Sequence, residues 1–510
     1  MTDFTIVKYS HHFSVNKYSP EVKKAIVSFA MRFATYTFIK RWGGGYDRVV
    51  KEIYAVSLAN RREFRLAINM LNEFLIHLAQ CGFNKYELID YPLKDGDIVE
   101  YTVNPIYTLR EKQPDIVNHI VAEGNVKLIT LQTGKGKTLC SLYALSLLKK
   151  RAAIVLRGMF VKRWLDDLIG ENSVLQLKPN EVYVVRGLKS LIDLIRMGIT
   201  GFVPYKVIVI TNRTLSMFYT NYQTLNGDYD TLGLHPVQLF EILGIGCVIN
   251  DEVHMDFHTN YCQYLYMHVG KAIALSATMS TEEQLKNQIY YYLFPPNSRK
   301  DAGYYDKYIA AKACMYTLSS FAREKVRYLQ RGRGSYSHVE YEKSIMKYPV
   351  LLKRYLDIIT SIIETEHLAK NEKGFKALVF AATIEMCTII RNHFRKCFPT
   401  LQINKYTQGD SYDLLKSSDI GVSTVGSAGT AVDIKGLVFC LSTTAIDKKE
   451  TNEQVLGRMR KISDRPDITP VLMYMICKDI DKQCYYHEHK RKIFEGKVVS
   501  HITLESDFVL

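Results

Sequence analysis

The octapeptide LQTGKGKT at 131–138 constrains the fold most, because it separates an apolar run at 126–131 from a helical pattern at 139–148. A strand that ends in a glycine-containing loop before a helix turns backbone N–H groups and the positive end of the helix dipole toward an anion. The sequence therefore predicts a phosphate-binding loop; a plain glycine turn before a core helix is the alternative. The residues expected to line the loop are Thr133, Gly134, Lys135, Gly136, Lys137 and Thr138.

Lys137 and Thr138 end the loop as the last two residues of a Walker pattern do, although Leu131 stands where that pattern has its first glycine. In such a loop the lysine reaches the β- and γ-phosphates and the hydroxyl holds Mg²⁺. The sequence therefore predicts ATP and Mg²⁺ as ligands.

Adjacent carboxylates follow a second apolar run, at 247–249. We expect Asp251 to hold Mg²⁺ through water and Glu252 to orient or deprotonate the attacking water. A solvated Asp-Glu pair at the start of a helix is the alternative. Further along, a small hydroxylated turn ends another apolar run, with Ser276, Ala277 and Thr278.

A basic segment at 454–461 completes the series of motifs, with Gln454, Arg458, Arg460 and Lys461. Guanidinium groups there could enter a phosphate site and neutralise the charge that develops in the transition state. We therefore add these four residues to the catalytic candidates.

In this order the motifs resemble those of superfamily 2 helicases of the DExH branch, over about residues 105–480. The phosphate loop is similar to motif I, 251–254 to motif II, 276–278 to motif III, 429–433 to motif V and 454–461 to motif VI. The resemblance implies a nucleic-acid-stimulated ATPase whose two lobes both contribute to ATP binding. It also implies residues that couple the ATP site to the nucleic acid, namely His254, Ser276, Ala277, Thr278, Thr430 and Asp433.

Two departures from the family pattern matter. The family spaces its second motif VI arginine three residues after the first, whereas Arg460 falls one position early and Lys461 takes the expected place. Either residue could be the second finger. Ala431 replaces the common motif V glycine, which bears only on local backbone freedom.

The resemblance also extends upstream of the loop. The segment 109–114 is similar to the one in which a glutamine reads the adenine edge, so Gln113 is the adenine candidate. An exposed residue in the first turn of a helix is the alternative for Gln113.

A compact unit precedes that segment. A capped helix is expected to start at 19–21, followed by a hairpin of 36–41 and 48–56 and by a helix whose apolar residues run from Phe64 to Leu78. A unit with its own core is expected to end near 95–97. The arrangement resembles the N-terminal domain of the UvsW-type DNA helicases of tailed phages, and poxvirus transcript-release helicases are a close second in resemblance for the motor itself.

Nucleic-acid contacts are expected in loops at the strand ends, by position in the family's layout. The candidates are Arg157, Lys162, Arg163, Thr211, Arg213, Thr214, Arg331, Arg333 and Thr424. In the segment 321–336 arginines alternate with Tyr328 and Tyr336, which favours phosphate contacts and base stacking. A solvated connection between lobes is the alternative for that segment.

Continuous apolar runs predict parallel strands that are buried on both faces. One set of runs comprises 126–131, 152–156, 207–210, 247–249 and 272–275, and a second set comprises 377–380, 420–424, 437–441 and 471–476. The sequence therefore predicts an α/β protein with two tandem RecA-like parallel-sheet lobes, preceded by a small α+β N-terminal domain. The expected boundaries are 1–100 for a nucleic-acid-binding domain, 101–285 for the first lobe, 286–345 for an interlobe linker or insertion, and 346–510 for the second lobe.

Composition agrees with a polyanionic partner. The 510 residues include 67 Lys and Arg against 52 Asp and Glu, a formal charge of +15. The 10 cysteines form no C-x-x-C pair, as is usual for reduced cysteines in a cytosolic protein. No apolar run approaches the roughly 20 residues that span a bilayer. We therefore expect a cytoplasmic protein, in the host cytoplasm if viral, with no membrane partner.

The function expected from the resemblance is an ATP-dependent DNA helicase or translocase that unwinds, rewinds or branch-migrates branched DNA in viral replication, recombination or repair. An RNA helicase or transcript-release motor is the alternative. A nucleotide-triggered DNA clamp without turnover and a small-molecule kinase fit less well, because Glu252 and the second lobe would go unexplained.

Overall fold

The computed structural model describes residues 2–41, 44–58, 61–131, 135–224, 232–277, 283–301, 307–330, 334–370, 374–407, 410–428, 434–462, 465 and 467–510. These residues form two compact units. The first comprises 2–131 and 135–301, and the second comprises the described residues from 307 onward.

The first unit begins with an α+β part. Its elements are β1 (Phe4–Lys8), β2 (His12–Asn16), α1 (Pro20–Met31), β3 (Ala34–Lys40), β4 (Tyr46–Ile53), β5 (Val56–Leu58), β6 (Glu63–Ala67), α2 (Leu71–Gln80) and β7 (Tyr86–Asp90). Five strands form a sheet in the order β5-β6-β2-β1-β7, whereas β3 and β4 pair as a separate antiparallel hairpin. Ser19 caps α1 by accepting a hydrogen bond from the N–H of Val22, as the sequence predicts.

One helix boundary differs from the expectation. Phe64 lies in strand β6 and Ile68 in a 3-10 turn, so α2 begins only at Leu71. All five residues of β6 are buried and β6 pairs with both β2 and β5. The two sheet partners account for the strand, because apolar spacing alone does not separate a short buried strand from a buried helix.

The rest of the first unit is a parallel α/β lobe. Its elements are α3 (Gln113–Val121), β8 (Val126–Thr130), α4 (Lys137–Leu148), β9 (Ala152–Leu156), α5 (Val161–Leu168), β10 (Val182–Val185), α6 (Leu188–Ile199), β11 (Val207–Thr211), α7 (Asn212–Gln223), α8 (Leu239–Ile242), β12 (Cys247–Asn250), α9 (Phe257–Tyr264), β13 (Lys271–Ser276), α10 (Gln284–Leu293) and β14 (Arg299–Asp301). The strand order is β10-β11-β9-β12-β13-β8-β14, and every pair is parallel. The carboxyl ends of these strands therefore meet at one edge of the sheet, where ligands bind in such folds.

The second unit is a second parallel α/β lobe. Its elements are β15 (Ala310–Thr317), α11 (Ser320–Lys325), α12 (His338–Met346), α13 (Pro349–Ile363), β16 (Lys376–Ala381), α14 (Ile384–Cys397), β17 (Ile403–Tyr406), α15 (Tyr412–Lys416), β18 (Ile420–Thr424), α16 (Val425–Ala428), β19 (Leu437–Ser442), α17 (Lys449–Leu456), β20 (Val471–Cys477), α18 (Asp481–Phe494) and β21 (Ser500–Val509). The strand order is β17-β18-β16-β19-β20-β15-β21, again all parallel. Two tandem RecA-like lobes and an α+β start confirm the predicted fold class.

Part of the segment 286–345 that was expected to link the lobes is built into the sheets. Strand β14 extends the first sheet beside β8, and β15 lies between β20 and β21 in the second. The domain boundaries drawn from the sequence stay predictions.

The α+β part and the first lobe share one apolar core, which differs from the separate core expected near the N-terminus. Phe33 packs edge-on against Tyr292 at 5.6 Å between ring centroids, and Tyr54 packs against Tyr261 at 5.2 Å. Because α9 and α10 supply these partners, the α+β part is a structural component of the first unit.

Candidate nucleotide site

The predicted lysine and glutamate meet directly. Lys137 Nζ donates to Glu252 Oε1 at 2.7 Å, and the two side chains are only 9% and 17% exposed. Lys137 is the first residue of α4, and Glu252 follows the end of β12. The sheet therefore brings together two residues that are 115 positions apart in the sequence.

Asp251 is held by a residue that the sequence analysis did not single out. Trp164 Nε1 donates to Asp251 Oδ2 at 2.8 Å, and both residues are buried. Trp164 lies on the buried face of α5, four residues before the buried Leu168. That spacing predicts a core position, but nothing in the sequence pairs the indole with the carboxylate.

The backbone around the acid pair is fixed by both neighbouring strands. The N–H of Asp251 donates to the carbonyl of Val155 at 2.9 Å, and the N–H of Val253 donates to the carbonyl of Leu275 at 3.0 Å. Between them Glu252 has φ = +50°, a left-handed conformation that costs energy in a residue with a side chain. The strained turn aims the Glu252 carboxylate at Lys137.

Asn260 clamps the turn that follows. Its Nδ2 donates to the carbonyls of Val253 at 2.9 Å and Met255 at 2.7 Å. This residue was also missed by the sequence analysis, because its role depends on the chain turning back through α9.

His254 joins the acid pair to the end of the next strand. Its Nδ1 lies 3.3 Å from Glu252 Oε2 and 2.9 Å from Ser276 Oγ. The structure thus brings together three residues that the resemblance assigned to the site and its coupling. Ala277 follows Ser276 directly.

The two adjacent carboxyl groups have opposite pKa shifts. Burial, and then the charge of Glu252, raise the pKa of Asp251. Burial also opposes ionisation of Glu252, but the charges of Lys137 and His254 outweigh it and hold its pKa well below the usual range. Glu252 is therefore the carboxylate of the pair that is most firmly ionised.

Gln113 contacts the phosphate loop directly. Its Nε2 donates to the carbonyl of Lys135 at 3.0 Å, and its Oε1 accepts from the N–H of Arg110 at 2.9 Å. Gly136 has φ = +91°, and a Cβ there would lie 2.4 Å from Gln113 Nε2. Glycine is therefore favoured at 136 by its left-handed conformation, and a side chain there would also displace the amide of Gln113.

Thr138 lies in the first turn of α4 and is buried, with its carbonyl accepting from Ser141 Oγ at 2.9 Å. Its hydroxyl and the Asp251 carboxylate are the hard oxygen donors that Mg²⁺ prefers. Several predicted site residues lie outside the described residues: Thr133, Gly134, Thr278, Arg331, Arg333, Thr430 and Asp433.

The arginine motif of the second unit begins on a helix and continues beyond it. Gln454 lies in α17, which ends at Leu456, and the buried Arg458 donates from Nε to the carbonyl of Gln454 at 3.2 Å. Arg460 is half-buried and donates to the carbonyl of Gly457 at 2.6 Å, whereas Lys461 is exposed. Arg458, Arg460 and Lys461 therefore lie beyond the helix, and helical geometry does not fix the directions of their side chains.

The predicted nucleic-acid contacts that lie in the described part of the chain divide into exposed residues and residues engaged with other protein groups. Lys162 and Arg163 are exposed on α5, and Arg213 is exposed on α7. Arg157, in contrast, is paired with Asp256 at 2.6 Å. The engaged threonines are capping residues: Thr211 accepts from the N–H of Thr214, and Thr424 accepts from the N–H of Ser427.

The segment 321–336 does not present both tyrosines to solvent, contrary to the expectation of base stacking. Tyr336 accepts a hydrogen bond from Gln483 Nε2 at 2.8 Å, lies 2.7 Å from His338 Nδ1, and packs with Tyr328 against the second core. Arg323 pairs with Asp479 at 2.7 Å. Tyr336 is thus held inside the second lobe by hydrogen bonds, and Tyr328 is partly buried against the same core.

None of the helices in the described part of the chain is long and apolar enough to cross a membrane. Over the same residues, no group of three or more His, Cys, Asp and Glu side chains is placed to hold a metal ion.

Two solved structures are similar to this chain over 78% of its length. S. cerevisiae Dbp5 bound to RNA and ADP BeF3 matches with a TM-score of 0.50 and 10% identity, over 78% of this chain and 89% of that chain. S. cerevisiae Dbp5 bound to Gle1 and IP6 matches with a TM-score of 0.46 and 11% identity, also over 78% and 89%. No protein-family model and no curated protein sequence matches this chain. At such low identity the likeness shows the fold alone, which is that of two tandem parallel α/β lobes.

Proposed function

We propose that this protein is an ATP-dependent helicase or translocase of superfamily 2. The observation that carries the proposal is the 2.7 Å contact between Lys137 and Glu252 at the carboxyl edge of a parallel sheet, with Asp251 beside it. A small-molecule kinase would share the loop, but the second lobe with its arginine motif would have no role.

The residues of the first unit fit the chemistry of ATP hydrolysis. Lys137 offers a cation to the β- and γ-phosphates, and Thr138 and Asp251 offer oxygen ligands to Mg²⁺, which would neutralise phosphate charge. Glu252 is ionised, because nearby charge, that of Lys137 first, lowers its pKa, so its carboxylate can accept a hydrogen bond from the attacking water and orient it. We assign the adenine contact to Gln113, and the arginine of the reaction to Arg458.

Coupling to nucleic acid follows the contacts already described. His254 touches both Glu252 and Ser276, so a change at the carboxylate reaches the end of β13 through one side chain. We propose that exposed cations on α5 and α7 contact the nucleic-acid backbone, chiefly Lys162, Arg163 and Arg213.

The preferred substrate that we propose is branched DNA, handled as the UvsW-type phage helicases handle it, in viral replication, recombination or repair in the host cytoplasm. The resemblance of the N-terminal part to those enzymes supports DNA. An RNA helicase or transcript-release motor is the second candidate, because the similar Dbp5 structure is bound to RNA.

ATP hydrolysis rates measured side by side with duplex, forked and four-way-junction DNA and with single-stranded RNA test the proposal. We expect stimulation by forks and junctions above duplex, and a Lys137→Ala variant that stays folded, although at a lower melting temperature because Glu252 loses its cation, and that loses turnover by at least about a hundredfold. Stimulation by RNA alone would select the second candidate. Turnover within about threefold of wild type in Lys137→Ala would overturn the site itself.

A nucleotide-triggered clamp would bind DNA without sustained hydrolysis. Multiple-turnover ATP hydrolysis by the wild-type protein in the presence of DNA would exclude this clamp function.

A further inference from the structure

The hairpin β3–β4 stands apart from the sheet beside it. Its strands pair with each other from Ala34↔Ile53 to Lys40↔Tyr46 and form a two-stranded sheet of their own. A lone hairpin is at best marginally stable in water, so packing within the hairpin does not account for the large side chains that it exposes.

One face of this hairpin is aromatic. Tyr36 pairs with Val50 and Phe38 pairs with Arg48, and Tyr46 lies two residues before Arg48 on the same face. The Arg48 guanidinium lies over the Tyr36 ring at 3.7 Å from its centroid, as neighbours on one face should. We call these five residues the aromatic face.

The aromatic face is open to solvent in the described structure. Phe38 is 66% exposed and Tyr46 is 63% exposed, and Arg48 is exposed as well. The opposite face of the hairpin carries Thr37, Ile39, Asp47 and Val49. It has comparable apolar exposure, with Ile39 at 54%, but no aromatic ring.

The root of the hairpin is buried and packs against α9, the helix that follows the acid pair. Phe33 precedes β3 and Tyr54 follows β4, both are buried, and the N–H of Tyr54 donates to the carbonyl of Phe33 at 3.1 Å. Tyr54 packs against Phe257 at 5.7 Å and Tyr261 at 5.2 Å, both on α9. Helix α9 begins five residues after Glu252, so the same short segment holds the acid pair and the hairpin root.

Charge and ring chemistry favour a nucleic acid as the occupant. The segment 34–53 carries Lys40, Arg41, Arg48 and Lys51 against Asp47 and Glu52, within a chain of net charge +15. Every base has a π face that stacks on Phe and Tyr, and an arginine among the rings adds a cation for phosphate or base. A blunt duplex offers few unstacked bases, so this chemistry selects unpaired nucleotides.

We propose that the aromatic face binds unpaired nucleotides by stacking, as an accessory contact of the helicase function proposed above. The aromatic face would hold a strand at a fork or gap. The buried root of the hairpin connects this contact to α9. The stacking chemistry is the same for DNA and RNA.

The test compares two double variants of the full-length protein. Phe38→Ala with Tyr46→Ala removes rings from the aromatic face, and Ile39→Ala with Val49→Ala removes matched apolar groups from the opposite face. Fluorescence anisotropy measures binding of labelled oligo(dT), oligo(U) and a blunt duplex. Melting temperature and ATP hydrolysis without nucleic acid are measured for both variants.

We expect the aromatic-face variant to bind oligo(dT) and oligo(U) at least about tenfold more weakly, the scale of one or two lost base stacks. Binding of the blunt duplex should change little, basal hydrolysis and melting should be unchanged, and the opposite-face variant should behave as wild type. Phe38→Trp with Tyr46→Trp, which keeps stacking rings, should restore binding.

Equal oligonucleotide affinity of the two double variants would overturn the proposal, and so would an equal loss in both. Loss limited to oligo(U) or to oligo(dT) would overturn it, because base stacking does not distinguish the two backbones. Failure of the wild-type protein to hydrolyse ATP would overturn the proposed function separately, because the binding measurements need no ATP.

Discussion

Burial opposes ionisation of Glu252, but nearby charge, that of Lys137 first, outweighs it and holds the pKa of this carboxyl well below its usual range. Lys137 and His254 both contact its carboxylate, at 2.7 Å and 3.3 Å. Glu252→Gln keeps the shape but loses the charge with which the carboxylate orients the attacking water. We expect the variant to bind ATP and nucleic acid, and to lose turnover by at least about a hundredfold.

Trapping of a stable complex with labelled ATP and DNA is the measurement for Glu252→Gln. Lys137→Ala serves as its control, because that variant should fail at nucleotide binding instead. Normal hydrolysis by Glu252→Gln, or no nucleotide binding, would contradict the role given to Glu252.

Lys490 gives the second lobe a distinct pH dependence. It is buried, its Nζ lies 4.2 Å from the centroid of the Tyr474 ring, and burial lowers its pKa to about 7. Between about pH 7 and its ordinary value of 10.5 the unfolded chain binds the proton and the folded chain does not. Stability therefore rises with pH across that window, by up to about 1.4 kcal/mol per pH unit for one proton.

Lys490→Met should flatten that rise and raise the melting temperature at pH 7, and thermal melting between pH 7 and pH 10 measures it. The exposed Lys482 lies on the same helix, so Lys482→Met is the matched control. If the Tyr474 ring kept Lys490 charged, melting temperature would depend on pH equally in wild type and in Lys490→Met, and the prediction would be wrong.

At the level of elements, the sequence identified the strands that are buried on both faces and missed others. The run at 152–156 is apolar throughout and lies inside its sheet as β9. The missed strands β17 and β21 lie at sheet edges, where polar residues such as Lys405 and Glu505 alternate with apolar ones. The strand β15 is interior but contains Lys312, which pairs with Glu366 at 2.6 Å. A side-chain pair across the fold satisfies that charge, and periodicity cannot reveal it.

Some residues of the candidate site could likewise be predicted from the sequence, and others could not. The Walker-like loop and the acid pair could be predicted from the sequence, because their chemistry requires particular residue types at fixed spacing. Trp164 and Asn260 could not, since an indole and an amide serve equally well in any core or helix. Their roles arise only where the fold places them beside Asp251 and the turn after it.

The conformation of the segment after α17 determines whether Arg460 or Lys461 can act together with Arg458. The helix has ended at Leu456, so the side chains of Arg458, Arg460 and Lys461 are aimed by a turn and not by helical spacing. Arg458 is buried, and Arg460 is half-buried, whereas Lys461 is exposed. Arginine also offers a planar fork that lysine cannot reproduce.

We therefore expect Arg458→Ala and Arg460→Ala to lose turnover by orders of magnitude with modest loss of ATP binding, and Lys461→Ala to lose little. Single-turnover hydrolysis and nucleotide binding separate the two effects. Melting temperatures control for the burial of Arg458. A loss confined to Lys461→Ala would show that the family spacing is kept.

At the scale of the molecule, the α+β part is held to the first lobe by polar contacts as well as by apolar ones. Arg65 is 1% exposed and pairs with Glu63 on its own strand. Its guanidinium also lies 2.5 Å from His12 Nε2 and 3.0 Å from His235 Nε2. His235 belongs to the first lobe, so Arg65 joins the two parts through a buried charge.

We therefore expect that removing residues 1–100 would destabilise the first lobe, because the two parts share one core. The deletion would expose large side chains of the first lobe that now pack against these residues, including Tyr261, Tyr264 and Tyr292. We expect the truncated protein to aggregate or to melt at a lower temperature, rather than to survive as a DNA-stimulated ATPase.

Arg65→Met tests the same coupling without deleting any backbone. The variant leaves Glu63 buried without its cation, which costs roughly 3–5 kcal/mol when one partner of a buried pair is removed. We expect the melting transition of the first unit to fall steeply and ATP hydrolysis to fall with it, although Arg65 touches none of the residues of the nucleotide site. Lys23→Met, at an exposed position on α1, should change neither. Thermal melting and hydrolysis measured on the same samples decide the matter. A normal melting temperature in Arg65→Met, or a truncated protein with wild-type ATPase activity, would show that the first lobe is stable by itself and that the shared core contributes little to it.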